Sequence, residues 1–367
     1  MLHTRITTIK LVLYYLSARP ELVEGFLRAL EDILRQAQDE RGKNNYNNSC
    51  YLTKDIVMNK TMSTILLCTI ISSSCAAEKQ SPFQKITSLF NSYKFEKVDQ
   101  RELPATSVNS ISINNINGPI TIKTGWKKNS IFLKTTKRAK KEEDLHHIKV
   151  VVDSTTTNHL AITTKHINPK LIGLVEYELI VPASVDITLN ISGTGDASIK
   201  DIHGAINVVT NDNITITNNR KPVSARTLKK GTIQIAHSLG PVDAQTHQGN
   251  INGENIGHSF NAHSTSGKVN IAYKTLPSTS AIDVKTTSGN ITLALPTDTN
   301  AEIKGHTTHG TLMSDHIITL KPYATQLNSF AWNKFKKEVD GTIGSGEATI
   351  ALHSIKGNLK ITEAKTT

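Results

Sequence analysis

Strict alternation of aliphatic and polar residues constrains the fold of this chain more than any other feature. Pairs of Ile, Val or Leu that are separated by one polar residue recur through most of its 367 residues. Examples are Ile111-Ser-Ile113, Ile120-Thr-Ile122, Ile187-Thr-Leu189, Ile214-Thr-Ile216, Ile233-Gln-Ile235 and Ile291-Thr-Leu293. Because successive side chains of a strand lie on opposite faces, this pattern predicts strands with one buried and one solvated face. The sequence therefore predicts an all-β protein.

A glycine commonly stands two positions before such an aliphatic pair. From Gly249 to Gly267, Gly289 and Gly310 the spacing is 18, 22 and 21 residues. A period near 20 residues predicts stacked repeats, in which each repeat covers the aliphatic side chains of its neighbours. We expect these glycines to supply the positive φ of tight turns. The predicted fold is a single-stranded β-solenoid, a β-helix-like stack of short strands with Gly-containing turns; a β-sandwich built from hairpins is the alternative.

Two segments depart from the repeat. Residues 126–182 contain longer alternating runs, which predict a wider N-terminal part of the same solenoid. Residues 321–338 hold an unusual concentration of aromatic residues, namely Tyr323, Phe330, Trp332 and Phe335. This aromatic segment is interpreted either as a cap over the last coils or as a ligand-contacting loop.

The segment before residue 78 has the features of an export signal. Met58-Asn-Lys60 precedes an apolar run at 63–74, which is too short to span a bilayer but fits a signal peptide over residues 58–77. Small residues allow cleavage after Ala77, and Cys75 is the alternative site, where a lipid would be attached. The three cysteines all precede Ala76, so the expected mature part has no thiol for a disulfide, metal or nucleophilic site.

The remaining boundaries follow from these assignments. Residues 1–57 precede the signal, and residues 18–41 among them look like a translated bacterial repeat element, so we expect that translation starts later, at Met58 or Met62. Residues 78–108 are polar and weakly patterned, and are expected to form a tether or cap, with one short helix near 83–90. The solenoid domain is predicted over residues 109–367.

An ordered set of motifs in this part resembles a known family. The motifs are Asn115–Ile122, Val175–Pro182, Thr286–Pro296, Gly341–Ile350 and Ser354–Ile361. Together they are similar to the bacterial putative-adhesin β-solenoid family, a domain of unknown function, over about residues 109–361. The resemblance implies a β-solenoid located in the cell envelope, and it implies no established activity. One repeat has Asp212-Asn213 in place of its turn glycine, and we expect Asn213 to adopt the left-handed conformation there.

The reactive side chains do not form a recognisable catalytic or metal-binding pattern. The histidine candidates are His146, His147, His258, His263, His306, His309 and His316, and none has the spacing of a helical zinc site. The carboxylate candidates are Asp196, Asp201, Asp212, Asp243, Glu254, Asp283 and Asp298, and they stand at irregular phases of the repeat. We predict no catalytic residue, no metal site and no cofactor, and therefore a protein that is not an enzyme.

The charge of the chain suggests what it binds. The formal net charge is +11, and no nucleic-acid motif accompanies the basic run Lys134–Lys141, which is interpreted as a solvated loop. The predicted function is an exported, adhesin-like binding module of the periplasm, outer membrane or cell surface that contacts anionic envelope glycans or protein partners. A self-assembling scaffold and, less favoured, a carbohydrate-active enzyme are the alternatives.

Overall fold

The computed structural model describes residues 93–125, 130–154, 158–168, 173–321 and 337–364. The four aromatic residues of the segment 321–338, the helix expected near 83–90 and the export signal lie outside these residues. In the N-terminal half the strands are β1 (Phe95–Pro104), β2 (Ser110–Asn115), β3 (Ile120–Lys123), β4 (Ser130–Ala139), β5 (Ile148–Asp153), β6 (His159–His166), β7 (Gly173–Ile180), β8 (Asp186–Ile191), β9 (Ala197–Lys200), β10 (Ile206–Thr210), β11 (Ile214–Asn219) and β12 (Val223–Thr227). The others are β13 (Ile233–Ser238), β14 (Val242–Thr246), β15 (Ile251–Ile256), β16 (Phe260–Ser266), β17 (Val269–Tyr273), β18 (Ala281–Ser288), β19 (Ile291–Leu295), β20 (Ala301–Thr307), β21 (Leu312–Ser314), β22 (Thr319–Leu320), β23 (Glu338–Ile343), β24 (Ala348–Ser354) and β25 (Leu359–Glu363).

A single short helix, α1 (Glu142–His147), joins β4 to β5 within the described residues. In that part of the chain, no helix combines the length and apolar character needed to cross a bilayer.

The strands form one 12-stranded and one 13-stranded sheet, and each coil from β8 to β19 contributes one strand to each of them. Neighbouring coils pair in parallel without a shift along most of the stack; Val223 of β12, for example, lies beside Ile206 of β10 and Val242 of β14. Equivalent residues of successive coils are 17 to 22 positions apart. The predicted all-β solenoid fold is confirmed.

The aliphatic residues of the alternating pattern line the interior between the two sheets. One buried row contains Ile120, Ile214, Ile233, Ile251, Val269 and Ile291, all at most 1% exposed. One coil compensates for a missing side chain, because the ring of Phe260 fills the space beside Gly253, where a Cβ would come within 2.9 Å of Cε2. The aliphatic residues of each alternating pair thus pack against those of the neighbouring coils and form continuous rows along the stack.

The turn glycines have a different role from the one expected. Positive φ is found at Gly118, Gly125, Gly195, Gly344 and Gly346 among the described glycines, and the turn glycines of the regular repeats are not in this group. In the regular repeats, a Cβ at the turn glycine would overlap the backbone carbonyl of the turn in the preceding coil of the stack. The expectation of positive φ holds at Gly118 and was wrong at the turn glycines from Gly231 onward, where glycine is required because the coils approach each other too closely for any side chain.

The left-handed residues lie at the other corner of the coil. Asp201, Asn218, His237 and Asn255 have φ between 51° and 61°. They are equivalent positions of successive coils, and Asn218 donates to Asp201 with a distance of 2.7 Å between Nδ2 and Oδ1. Asn213, for which a left-handed conformation was expected, is not among the residues with positive φ, and its Oδ1 instead accepts the Thr232 N–H at 2.9 Å.

The C-terminal coil is out of sequence order in the stack. Strands β24 and β25 lie between the coil of β18 and β19 and the coil of β20 and β21, and they pair in parallel on both sides. The hydrogen bonds between the turns show the same order of coils. Asn290 Oδ1 accepts from the Asn358 N–H, and Asn358 Oδ1 accepts from the Thr311 N–H, both at 2.9 Å. The coil of β24 and β25 therefore occupies an internal position in the stack.

The first coil is inserted in the same way at the other end. Strands β2 and β3 lie between the strands β6 and β7 on one side and β8 and β9 on the other. Asn115 connects these layers, because its Nδ2 donates to the carbonyls of Gly118 and Val175 while its Oδ1 accepts from Thr164. Thr164 also bonds the Tyr177 hydroxyl at 2.6 Å, and burial raises the pKa of Tyr177 to about 12.

The basic run at 134–141 is mostly strand, so its interpretation as a loop was wrong. Its first six residues belong to β4, between β1 and β7. Arg138 lies beside Glu176 and Glu96, and Lys134 beside Glu178. Lys137 instead donates to the Ile148 carbonyl, and burial lowers the pKa of Lys137. Two of the five positive charges of the run, those of Lys134 and Arg138, therefore lie beside carboxylates of the same sheet.

Candidate functional site

A row of basic and imidazole side chains crosses the outward face of the 13-stranded sheet. The basic row, as we call it, consists of Arg226, Gln245, His263, Lys285, His353 and His306 in spatial order. Each member is the direct partner of the next across neighbouring parallel strands. Successive members are therefore about 4.8 Å apart along the stack.

The basic row is accessible to solvent. Apart from Gln245, which is half-buried, all its members are exposed. The outward face of the 12-stranded sheet has no comparable row among its described residues: its centre carries Thr215, Gln234, Asn252, Asn270 and Thr292. Lysines on that face include Lys123 and Lys134, which both lie beside Glu178, and Lys200 and Lys360. The centre of that face is uncharged, in contrast to the basic row.

Sequence reasoning did not find the basic row, although a signal was present. Five of its members stand four positions before a turn glycine; for example, Lys285 precedes Gly289 and His353 precedes Gly357. This offset becomes meaningful once the turn glycines are known to stack, because equal offsets then place side chains side by side. Of the histidine candidates, His263 and His306 belong to the row.

A second row runs parallel to the first on the same face, two residues earlier along each strand. The acceptor row, as we call it, consists of Ser224, Asp243, Asn261 and Asp283. Asp243 Oδ1 accepts from Asn261 Nδ2 at 3.0 Å, and its Oδ2 accepts from Gln245 Nε2 at 3.1 Å. Asp283 Oδ2 accepts from Lys285 Nζ at 2.7 Å, which links the two rows. At a rise of about 3.3 Å per residue, the rows are about 6.6 Å apart.

A long groove follows the acceptor row. Its volume is about 880 Å³, and it extends from Ser110 to Asp283. Small residues on the side away from the basic row make the groove, namely Ala205, Pro222, Pro241, Ser259 and Ala281. The groove is parallel to the stacking direction, so an extended polymer fits it better than a compact molecule.

A smaller cavity of about 320 Å³ lies at the C-terminal end of both rows. The rings of His306 and His353 stack beside it, with centroids 5.4 Å apart. Lys304, Glu338 and Asp340 also line this cavity. Asp340 Oδ1 lies 3.2 Å from Lys321 Nζ. The pKa of Lys321 is raised mainly by its hydrogen bond with Glu302. Positive and negative groups alternate here, in contrast to the basic row.

The other histidine candidates are dispersed. His146 and His147 lie in α1, His258 Nδ1 accepts from the Ser259 N–H, and His309 lies at a turn. His316 is 8% exposed and lies after β21. Within the described ranges, no group of three or more His, Cys, Asp or Glu side chains is placed to hold a metal ion.

Most of the carboxylate candidates have separate backbone or corner contacts. Asp212 accepts the Gly195 N–H at 2.8 Å, and Asp196 accepts the Asn213 N–H at 3.0 Å, so both support turns. Glu254 belongs to β15 of the opposite sheet. Asp243 and Asp283 share the acceptor row but are separated by the intervening strand β16. The structure therefore brings together two of the seven, at two strand spacings, or about 10 Å.

Comparison with known proteins gives a family match. The sequence profile described as Toastrack DUF4097 matches residues 83–362. A search of curated proteins found no match.

Solved structures were also compared. A putative cell adhesion protein from Clostridium sporogenes is 10% identical, with 74% of this chain and 100% of that chain covered and a TM-score of 0.24. A putative adhesin from Bacteroides fragilis is 14% identical, with 72% and 97% covered and a TM-score of 0.39. A putative adhesin from Parabacteroides merdae is 10% identical, with 73% and 97% covered and a TM-score of 0.27. At these TM-scores the three similarities carry no argument about function.

Proposed function

The chain belongs to the Toastrack DUF4097 family, and from that premise we propose that it is a non-enzymatic, adhesin-like binding module of the cell envelope that contacts anionic surface glycans. The observation that supports this proposal is the basic row on the regular outward face of the 13-stranded sheet. Export through the segment at 58–77, with either cleavage after Ala77 or a lipid on Cys75, belongs to the same proposal.

Multivalency is the physical reason that a row suits this function. A single exposed cation contributes little, on the order of 0.5 kcal/mol, when it pairs with an anion in water. Arg226 and Lys285, however, lie three strand spacings apart, or about 14 Å, so one polymer can contact both, and the second contact is then intramolecular. A repetitive anionic polymer is therefore favoured over a small anion.

The edges of the sheets give less support to the scaffold alternative. Strand β1 is the N-terminal edge of the 12-stranded sheet and carries Glu96, Lys97, Asp99, Arg101 and Glu102. Charged edge strands resist pairing with another copy. We therefore propose ligand binding, and not self-assembly, as the function.

Replacing Arg226 and Lys285 by Ser should weaken binding to a purified anionic envelope polysaccharide roughly tenfold, because two exposed charge contacts of about 0.7 kcal/mol each are lost. Biolayer interferometry with the immobilised polysaccharide measures this. The matched control replaces Lys200 and Lys360 by Ser, which removes the same charge from the outward face of the 12-stranded sheet. Equal affinities for the two double variants would exclude the basic row as the binding surface.

A further inference from the structure

The acceptor row restricts the chemistry of a ligand that binds over the basic row. Asp243 and Asp283 place carboxylates in the groove, and both are half-buried. Their oxygens, together with the Asn261 amide and the Ser224 hydroxyl, offer hydrogen-bond acceptors to whatever enters. A group with negative charge on both sides would be repelled there, whereas a group that donates hydrogen bonds would be bound.

The two rows thus require different chemistry at the two edges of a bound ligand. On the side of Arg226 and Lys285 the ligand must be anionic, and on the side of Asp243 it must donate hydrogen bonds. The separation of about 6.6 Å between the rows is close to the width of one sugar ring. A sugar that carries a carboxylate on one edge and hydroxyls on another meets both requirements at once.

We propose that the ligand is a linear polysaccharide of uronic-acid type that runs along the stacking direction, with its carboxylates over the basic row and its hydroxyls over the acceptor row. This inference rests on the proposed function, and it adds the ligand class and its orientation. The length of the groove, from Ser110 to Asp283, spans the coils from β2 to β18 on this face, so one chain contacts several coils.

The orientation predicts opposite responses to two polyanions. Asp243→Ala removes an acceptor and a negative charge; of the basic row, only the uncharged Gln245 loses a hydrogen-bond partner, and Arg226 and Lys285 are unchanged. It should weaken binding of polygalacturonate roughly threefold to tenfold, since hydrogen bonds to a charged acceptor are lost. The same substitution should leave binding of inorganic polyphosphate unchanged or strengthen it, because polyphosphate has no hydroxyls and loses a repulsive neighbour.

The experiment titrates the full chain and two variants with each polymer by biolayer interferometry. Asn261→Ser is the second variant at the acceptor row; it keeps the charge and should also weaken polygalacturonate binding alone. Thermal melting of each variant is recorded, and we expect no shift, because both side chains lie on the outward face.

The outcomes separate this inference from the proposed function. If the wild type binds polygalacturonate and Asp243→Ala weakens both polymers equally or neither, the orientation is wrong while a basic-row function stands. If neither polymer binds, or if loss of Arg226 and Lys285 has no effect, the proposed function itself is wrong. Tight binding of oligolysine in place of either polymer would overturn both and assign the groove to a cationic peptide.

Discussion

Removing residues 345–367 is expected to unfold the C-terminal part of the solenoid, not merely to shorten it. The removed segment contains β24 and β25, which fill the space between two other coils. Without it, β18 and β20 lose the strand that pairs with both of them, and a gap remains inside the stack. Removal of a terminal coil would leave no such gap, because the stack would only become shorter. The truncated chain should therefore show cooperative loss of structure from β18 onward.

The energetic scale supports a large effect. Ile350, Leu352, Leu359 and Ile361 are each at most 2% exposed. Burial of such a side chain contributes about 1.5–3 kcal/mol, so their loss is on the order of the 5–15 kcal/mol that stabilises a whole domain. Urea unfolding followed by circular dichroism measures the change, with a chain that ends at Ala364 as the control that retains both strands.

A synthetic peptide of residues 345–364 should restore the truncated protein when it is added in trans. The peptide can pair on both of its sides, which a peptide for a terminal coil could not do. Recovery of the melting transition is expected with this peptide and not with a scrambled one. A truncated protein that melts within a few degrees of the full chain would show that the coil is not internal.

Gly357→Ala is expected to destabilise the domain by about 3 kcal/mol, a value at the upper end for overpacking. A Cβ at this position would overlap the carbonyl oxygen of Gly289, which is backbone and cannot turn away. The neighbouring coils would have to separate, and the parallel hydrogen bonds around them would lengthen. Chemical denaturation of the variant gives the free energy of unfolding.

Gly257→Ala is the matched control for this substitution. The nearest atom to its added Cβ is Cδ2 of Leu239, at 3.2 Å, and Leu239 is 59% exposed. The side chain can therefore move, and the cost should stay below about 1 kcal/mol. Equal costs at Gly257 and Gly357 would contradict the close approach of the turns as the reason for glycine.

The strands could be predicted from the sequence because alternation reports directly on burial, as at Ile214 and Ile216. The order of the coils could not. Gly289, Gly310 and Gly357 stand in the same local motif, and nothing in the motif says which turns stack. The spacing of 21 residues between Gly289 and Gly310 indicates neighbours, whereas the coil of Gly357 lies between them. The position of this coil is determined by the strands with which β24 and β25 pair in the two sheets, and no local motif specifies those partners.

The basic row depends on that order and was hidden for the same reason. Lys285 and His306 are close in sequence, but His353 separates them in space. Once the internal position of the last coil is known, the side chains four residues before each turn glycine line up. The candidate site is therefore a property of the stacking, and the constant offset before the turn glycines shows it only once the order of the coils is known.

The affinity of the intact chain for one linear acidic polysaccharide at increasing salt concentration tests most directly whether the basic row binds the ligand. We predict that the affinity falls steeply as salt rises, since screening weakens contacts between exposed charges. We also predict that replacing Arg226 and Lys285 by Ser flattens this dependence, whereas replacing Lys200 and Lys360 does not. An affinity that is insensitive to salt, or a dependence that both double variants share, would contradict the assignment of binding to the basic row.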